Sequence, residues 1–221
     1  MNYGIIILFD IRGEILKNIY TIGYTAFKID EFISTLKKHN ITCVIDVRSL
    51  AYSQHYPDYN KEVFKQVLKS NVIVYRNYSA EFGARQTEKC YLSPKGYLDF
   101  NKYVKSDRFE SGYKKILTGI DRGYTFVLMC AETDPIDCHR SIMLGREFYK
   151  RGFEVKNILK SGEILLQGEL EERLLDKYFS TRDQFSIFDD NKDDVQLIEE
   201  AYDLRNEEIG YKEESESINY G

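Results

Sequence analysis

The chain has 221 residues, 43% hydrophobic and 30% charged, with a formal net charge of −5. That length suits one domain with extensions, or at most two small ones, and the apolar share is enough for a packed core. No apolar run reaches membrane-spanning length, and residues 5–9 are too short and too weakly basic at their start for a signal peptide, so no membrane association is expected.

Four cysteines at irregular spacing do not form a disulfide framework, which points to a reducing cytoplasm. The charge is uneven. Residues 189–221 hold twelve acidic and three basic side chains, a net of −9, which leaves residues 1–188 at +4. A mildly basic body with an acidic tail is compatible with a polyanionic substrate.

In chain order, residues 1–18 read as an N-terminal extension, with a strand or hairpin built on residues 5–9 and a turn at Arg12-Gly13. From Ile19 a repeating pattern begins. Residues 19–23 are a short strand, and Asp30 is placed to cap a helix over residues 31–39 whose Phe32, Ile33 and Leu36 share a face. Asn40 ends it, and residues 41–47 (ITCVIDV) form a buried strand. Asn60 is placed to cap a helix through Leu68, with Val63, Phe64, Val67 and Leu68 inward. Asn71 ends that helix before a strand over residues 72–75.

Residues 109–120 are helical, and Gly123 closes that helix before a strand over residues 125–129. A further helix begins at Ser141, with Ile142, Leu144, Phe148 and Tyr149 towards the sheet. Gly152 closes it before a strand over residues 153–159. Residues 164–179 form an amphipathic last helix. Past Ser180 the chain reads as an acidic tail that folds late or stays mobile, with Val195, Ile198, Tyr202 and Ile209 lining at most a weak helix.

Four times a basic helix end, then Asn or Gly, precedes an apolar, mostly β-branched run (KKHN-ITCVID, LKSN-VIVY, DRG-YTFVL, KRG-FEV). This alternation predicts an α/β domain over residues 19–179. It would be three-layered and Rossmann-like, with a mostly parallel sheet of about five strands, extended at both ends.

In such a sheet the loops after the strands open on one edge, where ligands bind. Gly23, Tyr24 and Thr25 follow the first strand, and Asp46, Arg48 and Ser53 follow the second. Arg85 follows the third. After the fourth, Cys130, Glu132, Cys138, His139 and Arg140 crowd into one connection leading to Ser141. Arg48, Arg85, Arg140 and the helix start at Ser141 favour an anion, above all a phosphate. Cys138, beside two cations at a helix start, has the setting of a thiolate, whereas Cys130 ends a buried strand beside Glu132. Asp46 and Arg48 equally suit a structural ion pair.

These residues carry a resemblance. Thr21-Ile22-Gly23-Tyr24, then Ile45-Asp46-Val47-Arg48 with Ser53 and Pro57, then Met129-Cys130-Ala131-Glu132 and Cys138-His139-Arg140 are similar to the DUF488 family. The likeness covers roughly residues 19–159. It implies a prokaryotic cytoplasmic protein and brings no established reaction. The chain departs from that pattern at Phe82-Gly83-Ala84, where the family often has Gly-Gly, and at Leu50, where it usually has proline.

The strand-cysteine-helix order is also similar to rhodanese-like and cysteine-phosphatase domains, but their arginine six residues after the cysteine is Ile136 here. Structural zinc usually takes four ligands in paired short spacings, and C-x7-C-H is not such a pattern, so no metal or cofactor is expected.

Gln184-Phe185-Ser186-Ile187-Phe188 resembles the short Gln-Leu-Ser/Asp-Leu-Phe peptide by which bacterial DNA-processing proteins dock on the sliding clamp. That resemblance implies a clamp partner and a link to DNA repair or modification. The alternative is that its apolar side chains pack on the body. Two function classes therefore stand open. One is an enzyme, a cysteine-dependent hydrolase or transferase acting on a phosphate-bearing nucleotide or nucleic acid. The other is a non-catalytic adaptor or redox-sensing module recruited through that peptide.

Overall fold

The computed structural model describes residues 17–180 and 193–212. The expected strand at residues 5–9 and the Gln184–Phe188 peptide lie outside them. Among the described residues a six-stranded sheet runs in the order β3-β2-β4-β1-β5-β6. Its strands are β1 (Lys17–Gly23), β2 (Cys43–Asp46), β3 (Val74–Asn77), β4 (Phe126–Cys130), β5 (Phe153–Ile158) and β6 (Ile164–Leu166). The first five are mutually parallel, and β6 pairs antiparallel with β5. The helices are α1 (Ile29–Lys38), α2 (Lys61–Ser70), the short α3 (Ser79–Phe82) and α4 (Phe100–Tyr103), α5 (Asp107–Asp121), α6 (Arg146–Lys150), α7 (Gln167–Tyr178) and α8 (Asp194–Ile209). No helix of the described residues is long and apolar enough to cross a membrane.

The sheet separates two cores. On one face Ile22, Val44, Val127 and Met129 pack with Phe32 and Leu36 of α1 and Phe64 and Leu68 of α2. On the other, Ile19, Ile45, Leu128 and Cys130 pack with Phe109 and Ile116 of α5, Phe148 of α6 and Leu170 and Leu174 of α7. The two-residue period of a strand thus assigns Cys130 to the α5–α6 side. In register, Gly23 lies beside Cys130 and Asp46 beside Met129, so three loops leave the sheet at one level.

Several expectations are corrected here. The cap of α1 is Lys28, whose N–H donates to Glu31, and Asp30 lies inside the first turn. Asn60 does precede α2, but its side chain accepts from Ser53 N–H instead of capping the helix. Val63 and Tyr149 are exposed, because each helix turns only a narrow face to the sheet. The third strand starts at Val74, since Val72 adopts the left-handed conformation (φ 60°) that completes the α2 turn and is 90% exposed. Gly123 and Gly152 close their helices in that same conformation, as expected (φ 84° and 85°).

Residues 164–166 are edge strand, not helix, because Leu165 and its neighbours find β5 as a partner. The tail also holds more structure than its composition suggests. Asp193 and Gln196 form a reciprocal cap, and α8 buries Ala201, Tyr202, Arg205 and Asn206 against the body.

Candidate functional site

The β4 connection is shaped by a close approach at Gly23. A Cβ there would sit 1.9 Å from the Glu132 carbonyl oxygen, so only glycine lets the loop cross over the end of β1. Thr25 secures the crossing, its Oγ1 donating to Ala131 O at 2.6 Å and meeting Thr133 Oγ1 at 3.1 Å. Arg140, fully buried, donates from Nη1 to Glu132 O at 2.6 Å and from Nη2 to Thr133 O at 3.3 Å. Further along, Arg173 holds Asp134 at 2.7 Å, and Arg205 of α8 pairs with Asp137 and donates to Ile136 O at 2.8 Å. The loop is thereby fixed from several sides.

Inside that frame the chemistry converges. Cys130 Sγ lies 3.8 Å and Cys138 Sγ 3.9 Å from the same His139 Nδ1. His139 Nε2 is 3.3 Å from Val47 O, which accepts the proton on that nitrogen, so Nδ1 is the ring atom that faces the sulfurs. Glu132 is an exposed residue overall, but its carboxyl turns inward and Oε2 meets Cys138 Sγ at 2.7 Å. Cys130, Cys138 and His139 place one ligand atom each within 4.8 Å of one another, the one group of three potential metal ligands among the described residues.

Electrostatics separate the two thiols. Contact with Cys138 and burial push the Cys130 thiol well up. Burial opposes ionisation of Cys138 too, but Cys130, Arg140 and His139 outweigh it and hold that thiol well below its usual range. Burial and Cys138 raise the Glu132 carboxyl. Burial opposes protonation of His139, but Cys138, Glu132 and Val47 O outweigh it and hold the imidazole above its usual value.

The residues expected to bind an anion are distributed differently. Arg48, 4% exposed, is locked to Asp46 through Nε at 2.9 Å and Nη2 at 2.6 Å, while Tyr75 OH donates to the same carboxylate at 2.7 Å. Its guanidinium lies 4.9 Å from the Tyr24 ring, which stacks on Tyr59 and meets Tyr56 edge-on. Ser53 orders its own loop by accepting from Tyr56 N–H. Arg85 is exposed and lies over Tyr211, and no described contact links it to the cysteines.

Ser141 faces inward, not towards a ligand. Its Oγ donates to Asn157 Oδ1 at 2.7 Å, Thr21 donates to the same oxygen at 2.8 Å, and Gln167 donates to Ser141 O. The turn it belongs to is a π-helix, Arg140–Gly145. Sequence reasoning missed Thr133, inside the loop, and Asn157, Gln167 and Arg205, which act from distant elements and carry no local signal. Surface clefts of about 670 and 570 Å³ lie at Cys43–Arg76–Lys115 and at Tyr149–Leu166. Neither contains a residue of the cluster, and convergent chemistry is the stronger guide than cleft size.

Fold and site together define an α/β protein with a thiol, imidazole and carboxyl cluster at the carboxyl edge of a parallel sheet. The family described as Domain of unknown function DUF488 matches residues 28–146, more than half of the chain, and the chain belongs to that family. No curated protein and no solved structure matches the chain.

Proposed function

We propose that the protein is an enzyme acting on a phosphate-bearing substrate, a nucleotide or nucleic acid, with Cys130, Glu132, Cys138 and His139 at its centre. The observation that carries this reading is the Glu132 carboxyl set 2.7 Å from the Cys138 sulfur. A cluster kept only for stability would pair that carboxylate with a cation, yet no basic side chain forms an ion pair with Glu132 among the described residues.

Arg140 bonds only neutral carbonyl oxygens, so its charge is free to favour a negative sulfur or a substrate anion near it. The neighbouring loop exposes Leu50, Tyr52 and Tyr56, and Tyr56 touches Tyr24 beside the crossing at Gly23. Flat apolar rings next to a charged cluster suit a nucleobase above its phosphate.

The test is a screen of nucleotides and of single- and double-stranded oligonucleotides, with products read by mass spectrometry. Turnover should fall at least about 100-fold in Glu132→Gln, in the range for a removed acid–base group. Tyr52→Ala should raise KM and spare kcat. No product with any of these substrates, or a fully active Glu132→Gln, would count against the reading.

A second reading, a redox-sensing module, is favoured by the two sulfurs that face one histidine nitrogen. It predicts a Cys130–Cys138 disulfide that forms reversibly under mild oxidant and changes partner binding.

A further inference from the structure

The geometry points to a metal centre: we propose that Cys130, Cys138 and His139 hold one divalent zinc-like cation, with a fourth position open towards Glu132. The inference deepens the enzymatic reading and rests on it only for the use made of that fourth position. Binding itself is independent of any turnover.

Distances come first. A tetrahedral zinc has Zn–S near 2.3 Å and Zn–N near 2.0–2.1 Å, which sets sulfur and nitrogen about 3.6 Å apart. The two Sγ–Nδ1 separations are 3.8 and 3.9 Å, so a cation fits after a contraction of a few tenths of an ångström. Ligand orientation agrees. A ligating histidine usually gives its other ring proton to a carbonyl or carboxylate, and Val47 O takes that role here.

Rigidity agrees as well. All three side chains are buried, Cys130 at a strand end and Cys138 and His139 where the π-helix begins. Their loop is pinned by Arg140, Arg173 and Arg205. Two thiolates and an imidazole select a soft or borderline cation over magnesium or calcium. Charge agrees too, since two buried thiolates beside a carboxyl are balanced by a dication far better than by Arg140 alone.

The sequence spacing argued against zinc because C-x7-C-H supplies too few ligands for a closed structural site. Three protein ligands with an open position describe a catalytic site instead. Glu132 is not one of that group of three, and its Oε2, 2.7 Å from Cys138 Sγ, is placed beside the site to accept the proton of a water held there.

The experiment is a titration of the reduced, metal-free full chain with cobalt(II), followed by absorption. Thiolate-to-cobalt charge transfer and tetrahedral ligand-field bands should rise together and saturate at a single equivalent. Zinc should then displace the cobalt and raise Tm. Cys130→Ser and Cys138→Ser should each weaken the charge-transfer band, and His139→Ala should shift the ligand-field bands. Cys43→Ser with Cys90→Ser should leave both unchanged.

Because the wild-type titration needs no variant to fold, absence of a saturable band in it overturns the proposal. So would a band lost on changing Cys43 and Cys90. Saturable cobalt binding without turnover on any substrate would keep the metal site and remove the enzymatic reading.

Discussion

The loops after β2 and β4 leave neighbouring strands at the same sheet edge, and each buries an arginine almost completely. They use that charge in opposite ways. Arg48 is neutralised by Asp46 through two bonds, while Tyr59 O accepts from the same guanidinium and Tyr75 OH donates to the same carboxylate. Arg140 hydrogen-bonds only the carbonyl oxygens of Glu132 and Thr133, while of the nearby carboxyls Asp134 is held by Arg173 and Glu132 turns to Cys138. The first loop is closed electrostatically and holds the fold. The second keeps a positive charge beside two thiols and an acid, an arrangement that costs stability and that the proposed enzymatic reading puts to use. Residue type alone does not tell a binding arginine from a structural one; its partner does.

The comparison breaks most visibly at Asp46. Asp46→Ala leaves Arg48 buried and unpaired, and unfolding in urea should show a loss of about 3–5 kcal/mol. Gly23→Ala acts on the second loop instead. The added methyl displaces the Glu132 carbonyl, with an expected loss of about 1–3 kcal/mol and disturbance of the cysteine cluster, readable as altered alkylation of Cys130 and Cys138. Arg205→Ala releases the loop from α8 at Asp137 and Ile136. It should cost about 1–3 kcal/mol and speed amide exchange in residues 132–138 before it touches the sheet.

The smallest effect is acid weakening of the outer supports. Burial opposes ionisation of Glu199, but Arg146 and Lys150 hold it below the ordinary carboxylate value. Asp134 is likewise depressed, burial being outweighed by Arg173 and the Ile136 N–H. A depressed folded value means stability that is complete above the unfolded pKa, about 3.9–4.3, and is lost as pH falls through the folded one. Exchange in α8 and in the Asp134 loop should therefore rise below about pH 4 while the sheet stays protected.

Much of this was legible in the chain. Apolar runs located β1 to β5, and an asparagine or glycine turn announces each of β2 to β5. The cysteine loop stood out because five reactive side chains share one strand-to-helix connection. What stayed hidden depends on partners distant in sequence. Nothing near Val72 shows that the α2 turn draws it into a left-handed conformation. Residues 164–166 became strand only because β5 offers an edge. The acidic composition around α8 masks Tyr202 and Arg205, whose burial depends on α7 and Asp137. Asp46 and Arg48 read equally as pair or site until Tyr59 O and Tyr75 OH closed the network around them.

The division of labour between the loops is tested most directly by two isosteric changes, Asp46→Asn and Glu132→Gln, unfolded side by side in urea. Asp46→Asn should lose about 3 kcal/mol or more, because it uncouples a buried ion pair. Glu132→Gln should unfold at the wild-type urea concentration or above it, because it removes a carboxylate that burial disfavours. A Glu132→Gln protein as unstable as Asp46→Asn would make the cluster another structural network and contradict the account.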